Sequence, residues 1–388
     1  MRILPVIHKL RPATEANMDK PVYVTRPSLP PLTEFIPHLE KIWNSRTLTN
    51  NGPFHEQLEG ALCEYLDVPY ISLFTNGTIA LLAAIKSLNV QGEVITTPYT
   101  FVATAHALSW NDLSPVFVDI DPVTLNIDPA KIEDAITPNT TAILPVHVYG
   151  QPCDVEAIES IAKQHKLRVL YDAAHAFGVR CHCGSILSHG DLSVLSFHAT
   201  KVFNTFEGGA IVCHDLETKK QIDRLKNFGF VNETSVSQIG INGKMSEFCA
   251  ALGLLQLDHI DEQIEKRRAV DEAYRDALAE IPGIHCYDPP TPQKENHSYF
   301  PIFVNDHYPL SRDQLYKNLQ ANGIYARRYF YPLVSDFPMY KKNALAATHS
   351  LTSAKRAADR VICLPIYPEL KSDGIKKIVE TMRENLNG

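Results

Sequence analysis

The chain has 388 residues, of which 45% are hydrophobic and 21% charged, a composition typical of a globular protein with room for two or three domains. Its net charge of −7 disfavours nucleic acid and anionic membrane surfaces as partners. No uninterrupted apolar run reaches the length of a membrane span, and the N-terminal residues lack the pattern of a secretory signal. Eight scattered cysteines favour reduced thiols over a disulfide framework, so a cytoplasmic location is expected.

Taken in chain order, residues 1–32 are rich in proline and lack regular periodicity, which predicts an arm on the surface. Helices are expected at 32–43 and 54–66, the second because leucines recur at four-residue spacing. Short apolar runs then alternate with helical segments, which is typical of a mainly parallel sheet covered by helices on both faces. The strands are predicted at 70–74, 93–97, 115–119, 142–146, 168–172, 192–197 and 209–213, and helices at 78–88, 101–109 and 155–165.

The chain beyond residue 246 predicts a second domain. A helical pattern runs from there to about residue 281, which is long enough to connect two domains. A proline-rich stretch at 289–292 and a strand at 298–304 follow. We therefore expect an N-terminal arm and a large domain over residues 1–254, and a small C-terminal α+β domain over residues 255–388.

Lys201 holds an unusual position, in the segment SFHATKVFNTFEGG (196–209) that joins two apolar strands. It could be an ordinary solvated lysine on a surface turn, or a partly desolvated lysine that loses its proton easily and acts as a nucleophile. Asp172 ends another apolar strand, where it could cap a helix or supply a buried negative charge. Ligands bind at the carboxyl ends of parallel strands, and both side chains are predicted at that edge.

The stretch Asn76-Gly77-Thr78 stands between a strand and an apolar helix. Such a turn can bind phosphate through the free N–H groups of the helix N-terminus, although an ordinary βα turn would have a similar composition. The chain contains neither G-x-G-x-x-G nor G-x4-G-K-[ST], which disfavours a nicotinamide oxidoreductase and a P-loop enzyme.

Cys181-His182-Cys183 resembles a metal site in composition, with His189 and His214 elsewhere in the sequence. Its C-x-C spacing differs from that of a zinc knuckle, and no second cysteine pair follows at finger spacing. The sequence therefore predicts no metal and a loop with incidental thiols.

Several motifs together carry a family resemblance. The chain contains DAAH at 172–175, SFHATK at 196–201 and EGG at 207–209, along with LTNNGP, NGT, PYTFVAT, LPVHVYG, GINGKMSEFCAALG and CLPIYPEL elsewhere. This set resembles the DegT/DnrJ/EryC1/StrS family of sugar aminotransferases, from about residue 20 onwards. The resemblance implies the aspartate aminotransferase fold (fold type I), with a seven-stranded mainly parallel sheet, and pyridoxal 5′-phosphate as cofactor.

The resemblance also implies roles for single residues. Lys201 would form the Schiff base with pyridoxal phosphate and move protons, with pyridoxamine phosphate as the intermediate of the reaction cycle. Asp172 would pair with the pyridinium nitrogen, which keeps the ring an electron sink. A lysine at this position favours transamination, because the related dehydratases have histidine there.

The remaining cofactor contacts are implied in the same way. His175 would approach the ring hydroxyl, and Phe101 would stack on the ring, with Tyr99 as second choice; either aromatic ring could equally be core packing. The phosphate would be held by Gly77, Thr78 and Ser196, and by Asn242 reaching across from a neighbouring subunit of a homodimer with shared active sites.

The resemblance implies a nucleotide-linked keto sugar as acceptor and glutamate as amino donor. Candidate substrate contacts are Lys244, Arg327, Tyr329 and Tyr331, with Lys226 and Arg328 as further cations for a diphosphate. His198 before the lysine, and EGG after it, favour amination at carbon 4 of dTDP-4-keto-6-deoxyglucose, for amino sugars of surface polysaccharide such as O-antigen or of an antibiotic. A carbon-3 aminotransferase and a non-catalytic binding or regulatory protein with this fold remain alternatives.

Overall fold

The computed structural model describes residues 21–341 and 350–386 of the chain. Most of the predicted N-terminal arm, residues 1–20, lies outside the described part. The helices are α1 (Leu32–Ser45), α2 (Pro53–Leu66), α3 (Gly77–Leu88), α4 (Val102–Trp110), α5 (Pro129–Ile132), α6 (Val155–His165), α7 (Leu216–Leu225), α8 (Glu247–Leu278), α9 (Arg312–Ala321), α10 (Pro338–Lys341), α11 (Thr352–Arg360) and α12 (Ser372–Glu384).

Strands fall into one large sheet and several small ones. They are β1 (Val22–Tyr23), β2 (Tyr70–Phe74), β3 (Glu93–Thr96), β4 (Ser114–Phe117), β5 (Thr140–Leu144), β6 (Arg168–Asp172), β7 (Arg180–Cys181), β8 (Gly184–Ser185), β9 (Leu192–Ser196), β10 (Gly209–Cys213), β11 (Phe230–Asn232), β12 (Ser235–Val236), β13 (Ile284–Cys286), β14 (Phe300–Val304), β15 (Ile324–Tyr325) and β16 (Val361–Leu364). The seven strands predicted between residues 70 and 213 are the seven strands of the large sheet, which confirms the predicted α/β class.

The large sheet has the order β2-β10-β9-β6-β5-β3-β4, and every pairing in it is parallel except the two made by β10. Because β10 runs against both neighbours, Gly209 at its start pairs with Phe74 at the end of β2 and with Ser196 at the end of β9. This register gathers the carboxyl ends of β2, β9 and β6 at one edge, which is where ligands bind in open α/β sheets.

Apolar side chains cover both faces of the sheet, as buried parallel strands require. Helices α2, α6 and α8 contribute to the core on one face, and α3, α4 and α7 to the core on the other. Neighbouring strand residues alternate between these cores: Val94 faces the second and Ile95 the first.

Helix α8 belongs to two cores. Its first half, up to Ile264, packs into the core of the large sheet, and Val270, Tyr274 and Leu278 pack against the antiparallel sheet β13-β14-β16. The long helix predicted at 246–281 is therefore confirmed, while the predicted domain division at residues 254 and 255 stays a prediction. Among the helices of residues 21–341 and 350–386, none is long and apolar enough to cross a membrane.

Glu247 is expected to hold α2 and α8 together. Its buried carboxylate accepts hydrogen bonds from the amides of Phe54 (2.9 Å) and His55 (2.8 Å) at the start of α2, where the N-cap Gly52 offers no side-chain oxygen. Glu247→Ala leaves these amides without a partner, so the free energy of unfolding in urea should fall by about 1–3 kcal/mol. Exposed Glu56→Ala in the same helix is the control, and an equal effect in both variants would contradict this role.

Candidate active site

A cavity of about 280 Å³ lies at the carboxyl ends of β6 and β9, beside the N-terminus of α3. The predicted site residues that line it are Gly77, Thr78, Phe101, Asp172, His175, Ser196, Lys201 and Tyr329. The structure therefore brings together side chains that are far apart in the sequence, at the sheet edge where the sequence places them.

Asp172 forms one wall of this cavity and is almost completely buried. Its Oδ2 accepts a hydrogen bond from the Thr104 hydroxyl at 2.7 Å, and its Oδ1 accepts one from the Ala174 amide at 3.1 Å. Burial raises the pKa of Asp172, while Thr104, Ala174 and the Lys201 charge oppose that rise. A buried carboxylate of this kind is stabilised by a cationic partner, so the cavity favours a ligand with a positive N–H group beside Asp172.

Lys201 follows β9 on a turn in which its own amide donates to the His198 carbonyl at 2.9 Å. Its side chain is partly buried in the cavity wall, and Nζ lies 3.5 Å from the Tyr299 hydroxyl. Burial lowers the pKa of Lys201 to about 8, although Asp172 acts in the opposite direction. Of the two interpretations of this lysine, the structure has the partly desolvated one, in which the neutral amine is accessible near neutral pH.

The N-terminus of α3 opens onto the same cavity. The Asn76 side chain caps the helix by accepting the Ile79 amide at 2.9 Å, and the amides of Gly77 and Thr78 precede the first intrahelical hydrogen bond. A Cβ at Gly77 would lie 2.9 Å from the Ser196 Cβ, so glycine lets the Ser196 side chain approach the helix end. Free amides, a helix dipole and two hydroxyl groups make this end suitable for a phosphate.

The structure settles the tautomer of His175, which the sequence leaves open. Its Nδ1 accepts a hydrogen bond from the Tyr149 amide at 3.2 Å, so the proton of the neutral ring is on Nε2. Burial, and then the charge of Lys201, lower the pKa of His175 well below its ordinary value. The ring also stacks on Phe330, with centroids 6.0 Å apart. His175 therefore offers a neutral N–H donor.

The two aromatic candidates have different surroundings. Tyr99 is fully buried; its hydroxyl bonds the Tyr149 hydroxyl at 2.7 Å and donates to the Tyr329 carbonyl, so it is a core residue. Phe101 lines the cavity and is 56% exposed. Of the two rings, Phe101 is the one available to a ligand.

Two residues of the site are absent from the sequence-based predictions. Thr104 lies within the family motif PYTFVAT, and its hydroxyl orients the Asp172 carboxylate. Tyr299 comes from the C-terminal part of the chain, where it is the second residue of the strand predicted at 298–304, and its hydroxyl accepts a hydrogen bond from Lys201 Nζ at 3.5 Å. Motif spacing could have indicated Thr104, whereas only tertiary structure brings Tyr299 close to Lys201.

Arg327 lies in an adjoining cavity of about 230 Å³, which shares Thr200, Tyr299 and Tyr329 with the lysine cavity. Its backbone pairs with Cys363, and its exposed guanidinium has no hydrogen-bond or ion-pair partner in the described part of the chain. A cation of this kind can bind an anionic group that extends from the lysine cavity.

Other predicted substrate residues lie elsewhere. Lys226, a candidate for the diphosphate, is wrong for that role, because it is 1% exposed and paired with Glu59 and Asp223. The Tyr331 ring lies against the guanidinium groups of Arg312 and Arg328 and lines neither cavity.

Asn242 and Lys244 line neither the lysine cavity nor the adjoining cavity of their own chain. Asn242 is exposed, and Lys244 donates to the Asn227 side chain at 2.9 Å. Their predicted roles rest on the family resemblance.

The sequence favours reduced thiols over a disulfide framework, and one pair of cysteines departs from that expectation. Cys181 and Cys183 form a disulfide across the β7–β8 hairpin, whose tight turn brings their Cα atoms to 5.3 Å. The other cysteines, which are Cys63, Cys153, Cys213, Cys249, Cys286 and Cys363, are free.

The pKa of Lys201 gives a direct test of this site. In cofactor-free protein, the rate at which an amine-reactive reagent labels Lys201 should rise with a midpoint near pH 8, against about 10.4 for an ordinary lysine. Asp172→Asn removes the charge that raises the pKa of Lys201, so the midpoint of labelling in this variant should be lower still. The label is quantified on the Lys201 peptide by mass spectrometry. A wild-type midpoint near that of exposed lysines would contradict the desolvation.

Comparisons with known proteins agree with this geometry. The model of the DegT/DnrJ/EryC1/StrS aminotransferase family matches residues 32–383. The dTDP-4-amino-4,6-dideoxy-D-glucose transaminase of Shigella dysenteriae is 58% identical to this chain, over 95% of this chain and 100% of its own length. The transaminase of the same name from Escherichia coli is 52% identical, over 94% of this chain and 98% of its own length. The crystal structure of DesI in the presence of its TDP-sugar product superposes with a TM-score of 0.90 at 36% identity, covering 95% of this chain and 93% of DesI. The protein belongs to the DegT/DnrJ/EryC1/StrS aminotransferase family.

Proposed function

We propose that this protein transfers an amino group from glutamate to carbon 4 of a nucleotide-linked 4-keto-6-deoxy sugar, with dTDP-4-keto-6-deoxy-D-glucose as acceptor. The observation that carries the choice of sugar is the 58% identity to the Shigella dysenteriae transaminase over that enzyme's full length. The substrate named for that relative is the product expected from amination at carbon 4. The segment SFHATK with EGG after it favours the same carbon.

Aminotransferases of this family use pyridoxal phosphate, and the residues of the cavity fit it. The Gly77 and Thr78 amides and the Ser196 hydroxyl provide a phosphate cradle that a side chain at position 77 would fill. Buried Asp172 offers the negative charge that a protonated ring nitrogen requires. His175 offers Nε2–H for the ring hydroxyl, and Phe101 an exposed ring for stacking. When bound, the cofactor supplies the electron sink that lets a proton leave the carbon carrying the amino group.

The chain's own chemistry then centres on Lys201. With a pKa lowered to about 8, a useful fraction of its amine is neutral near pH 7, so Nζ can act as a nucleophile and as a base. We assign to Nζ both the removal of the proton from the amino donor and its delivery to the sugar carbon. The Tyr299 hydroxyl, 3.5 Å away, orients the amine between these two tasks.

The adjoining cavity supports recognition of the nucleotide sugar. Arg327 offers its guanidinium to the diphosphate, and guanidinium groups bind phosphate oxygens in pairs. Tyr299 and Tyr329 lie between the two cavities, where their hydroxyls and ring faces can contact the sugar. The substrate would then place its keto carbon at Lys201 and its diphosphate at Arg327.

A homodimer with shared active sites is part of this proposal. Asn242 lies outside the cavity of its own chain, and the preceding hairpin exposes a set of apolar side chains to solvent, with Ile239 at 86%. The others are Phe228, Phe230, Val231, Val236 and Ile241. In the proposed dimer this surface is buried against a second copy, and Asn242 contacts the other subunit's phosphate cradle, as the family resemblance implies. The cytoplasmic location stays a prediction.

Regiochemistry tests the substrate assignment. Purified protein with pyridoxal phosphate and glutamate should aminate dTDP-4-keto-6-deoxyglucose at carbon 4, with one 2-oxoglutarate formed per amino sugar, and should leave the 3-keto isomer unchanged. The product is identified by NMR, and Lys201→Ala, which lacks the amine, is the inactive control. Amination only at carbon 3 would overturn the assignment in favour of the alternative from the same family.

Shared active sites can be tested with mixed dimers. When Lys201→Ala and Asn242→Ala subunits are refolded together, one of the two sites in each mixed dimer has both residues intact. Equal mixing should therefore restore about a quarter of the wild-type sites, measured as transaminase activity. The control mixes Lys201→Ala with Asp172→Asn, whose lesions lie in the cavity of the same chain, and should restore none. Equal activity in both mixtures would contradict the sharing.

A further inference from the structure

A cluster of metal-binding side chains lies on the hairpin formed by β7 and β8 and on the turn that follows it. The sulfur atoms of Cys181 and Cys183 and the Nε2 atom of His189 all lie within 4.8 Å of one another. Nε2 is 3.2 Å from the Cys183 sulfur and 3.7 Å from the Cys181 sulfur. Spacing in the sequence does not reveal this set, because His189 reaches the cysteines only after the chain has passed through the hairpin.

A carboxylate fixes the orientation of the histidine. Glu159, on α6, has its Oε1 3.1 Å from His189 Nδ1, and the same oxygen accepts the Gly190 amide at 3.1 Å. With Nδ1–H donated to Glu159, the lone pair of Nε2 points towards the two sulfur atoms. A carboxylate behind the imidazole is the arrangement that typically supports a histidine bound to zinc.

We propose that the reduced form of this cluster binds one Zn²⁺ ion through Cys181, Cys183 and His189. In the structure the two sulfur atoms form a disulfide. A phosphine and one water molecule convert it to two thiols and a phosphine oxide, and Zn²⁺ then replaces the two thiol protons, which are released to solvent. Two thiolates and an imidazole are the donors that zinc prefers, and water or the exposed His182 completes the tetrahedron.

There is open space beside the backbone next to Cys183. Gly184, the first residue of β8, has a φ of +115°, and a Cβ placed there would meet no atom within 4 Å. The cluster precedes β9, so it lies at the opposite end of that strand from Ser196 and Lys201. The bound ion would tie the hairpin to α6 without contacting the reacting groups, and this inference is independent of the proposed function.

Zinc content after reduction tests the proposal. Full-length protein reduced with a phosphine, loaded with Zn²⁺ and passed through a desalting column should retain one equivalent per chain, measured with a chromophoric chelator. Cys181→Ser/Cys183→Ser should retain none, and Cys63→Ser/Cys249→Ser, which changes two free thiols elsewhere, should retain the full equivalent. Reduced wild type that holds no more zinc than the Cys181/Cys183 variant would overturn the proposal.

A milder variant separates the site from any effect on folding. Glu159→Gln keeps the side chain's size and changes a residue that is 44% exposed, so the protein should fold normally. Loss of the carboxylate should weaken Zn²⁺ binding about 10–100-fold in chelator competition. Cadmium in place of zinc should give thiolate charge-transfer absorbance in the wild type and in Glu159→Gln, but not in the double cysteine variant. Unchanged affinity in Glu159→Gln would contradict the proposed role of the carboxylate.

Discussion

The site depends on two opposite charges that the fold keeps out of water at one edge of the sheet. Asp172 ends β6, and Lys201 lies on the turn that follows the neighbouring parallel strand β9, so the register of β6 against β9 brings both residues to the same edge of the sheet. Burial acts against both charged forms: it raises the pKa of the acid and lowers that of the amine, and each charge partly offsets the change in the other. The lysine can therefore release its proton near neutral pH, and a cationic ligand beside Asp172 would favour the ionised form of the carboxyl.

A backbone constraint keeps this edge open to a phosphate. Because β10 is antiparallel to both neighbours, Gly209 lies against the start of α3, and a Cβ there would be 2.6 Å from the backbone of Asn76 and Gly77. Any larger residue at position 209 would displace the helix N-terminus that offers its amides. A Cβ at Gly77 would likewise lie too close to Ser196. The two glycines therefore let the start of α3, the end of β9 and the start of β10 approach one another around the phosphate cradle.

The features of the fold and the site that depend on local sequence patterns are predictable from the sequence. The bounds of β2, β6, β10 and α6 are predictable because apolar runs and turn residues mark them. The family motifs likewise identify Asp172 and Lys201 as site residues. Sequence reasoning fails where long-range packing decides. Three contacts depend on the folded path of the chain, so the spacing of motif residues does not predict them. They are the ion pairs of buried Lys226 with Glu59 and Asp223, the contact of Tyr299 with Lys201, and the approach of His189 to the hairpin cysteines. The tautomer of His175 depends likewise on the amide of Tyr149.

An aminotransferase binds its two substrates in turn at one lysine, and the charged side chains around Lys201 indicate where an anionic part of a substrate can bind. The charged or ionisable side chains of the lysine cavity include Asp172, His198, Lys201 and Glu207, and no arginine lines it among the residues that the structure describes. The guanidinium of Arg327 lines the adjoining cavity, on the other side of Tyr299 and Tyr329, and is available to an anion. The anionic end of the nucleotide sugar is therefore expected at Arg327 and its reacting carbon at Lys201, with Tyr299 and Tyr329 between them.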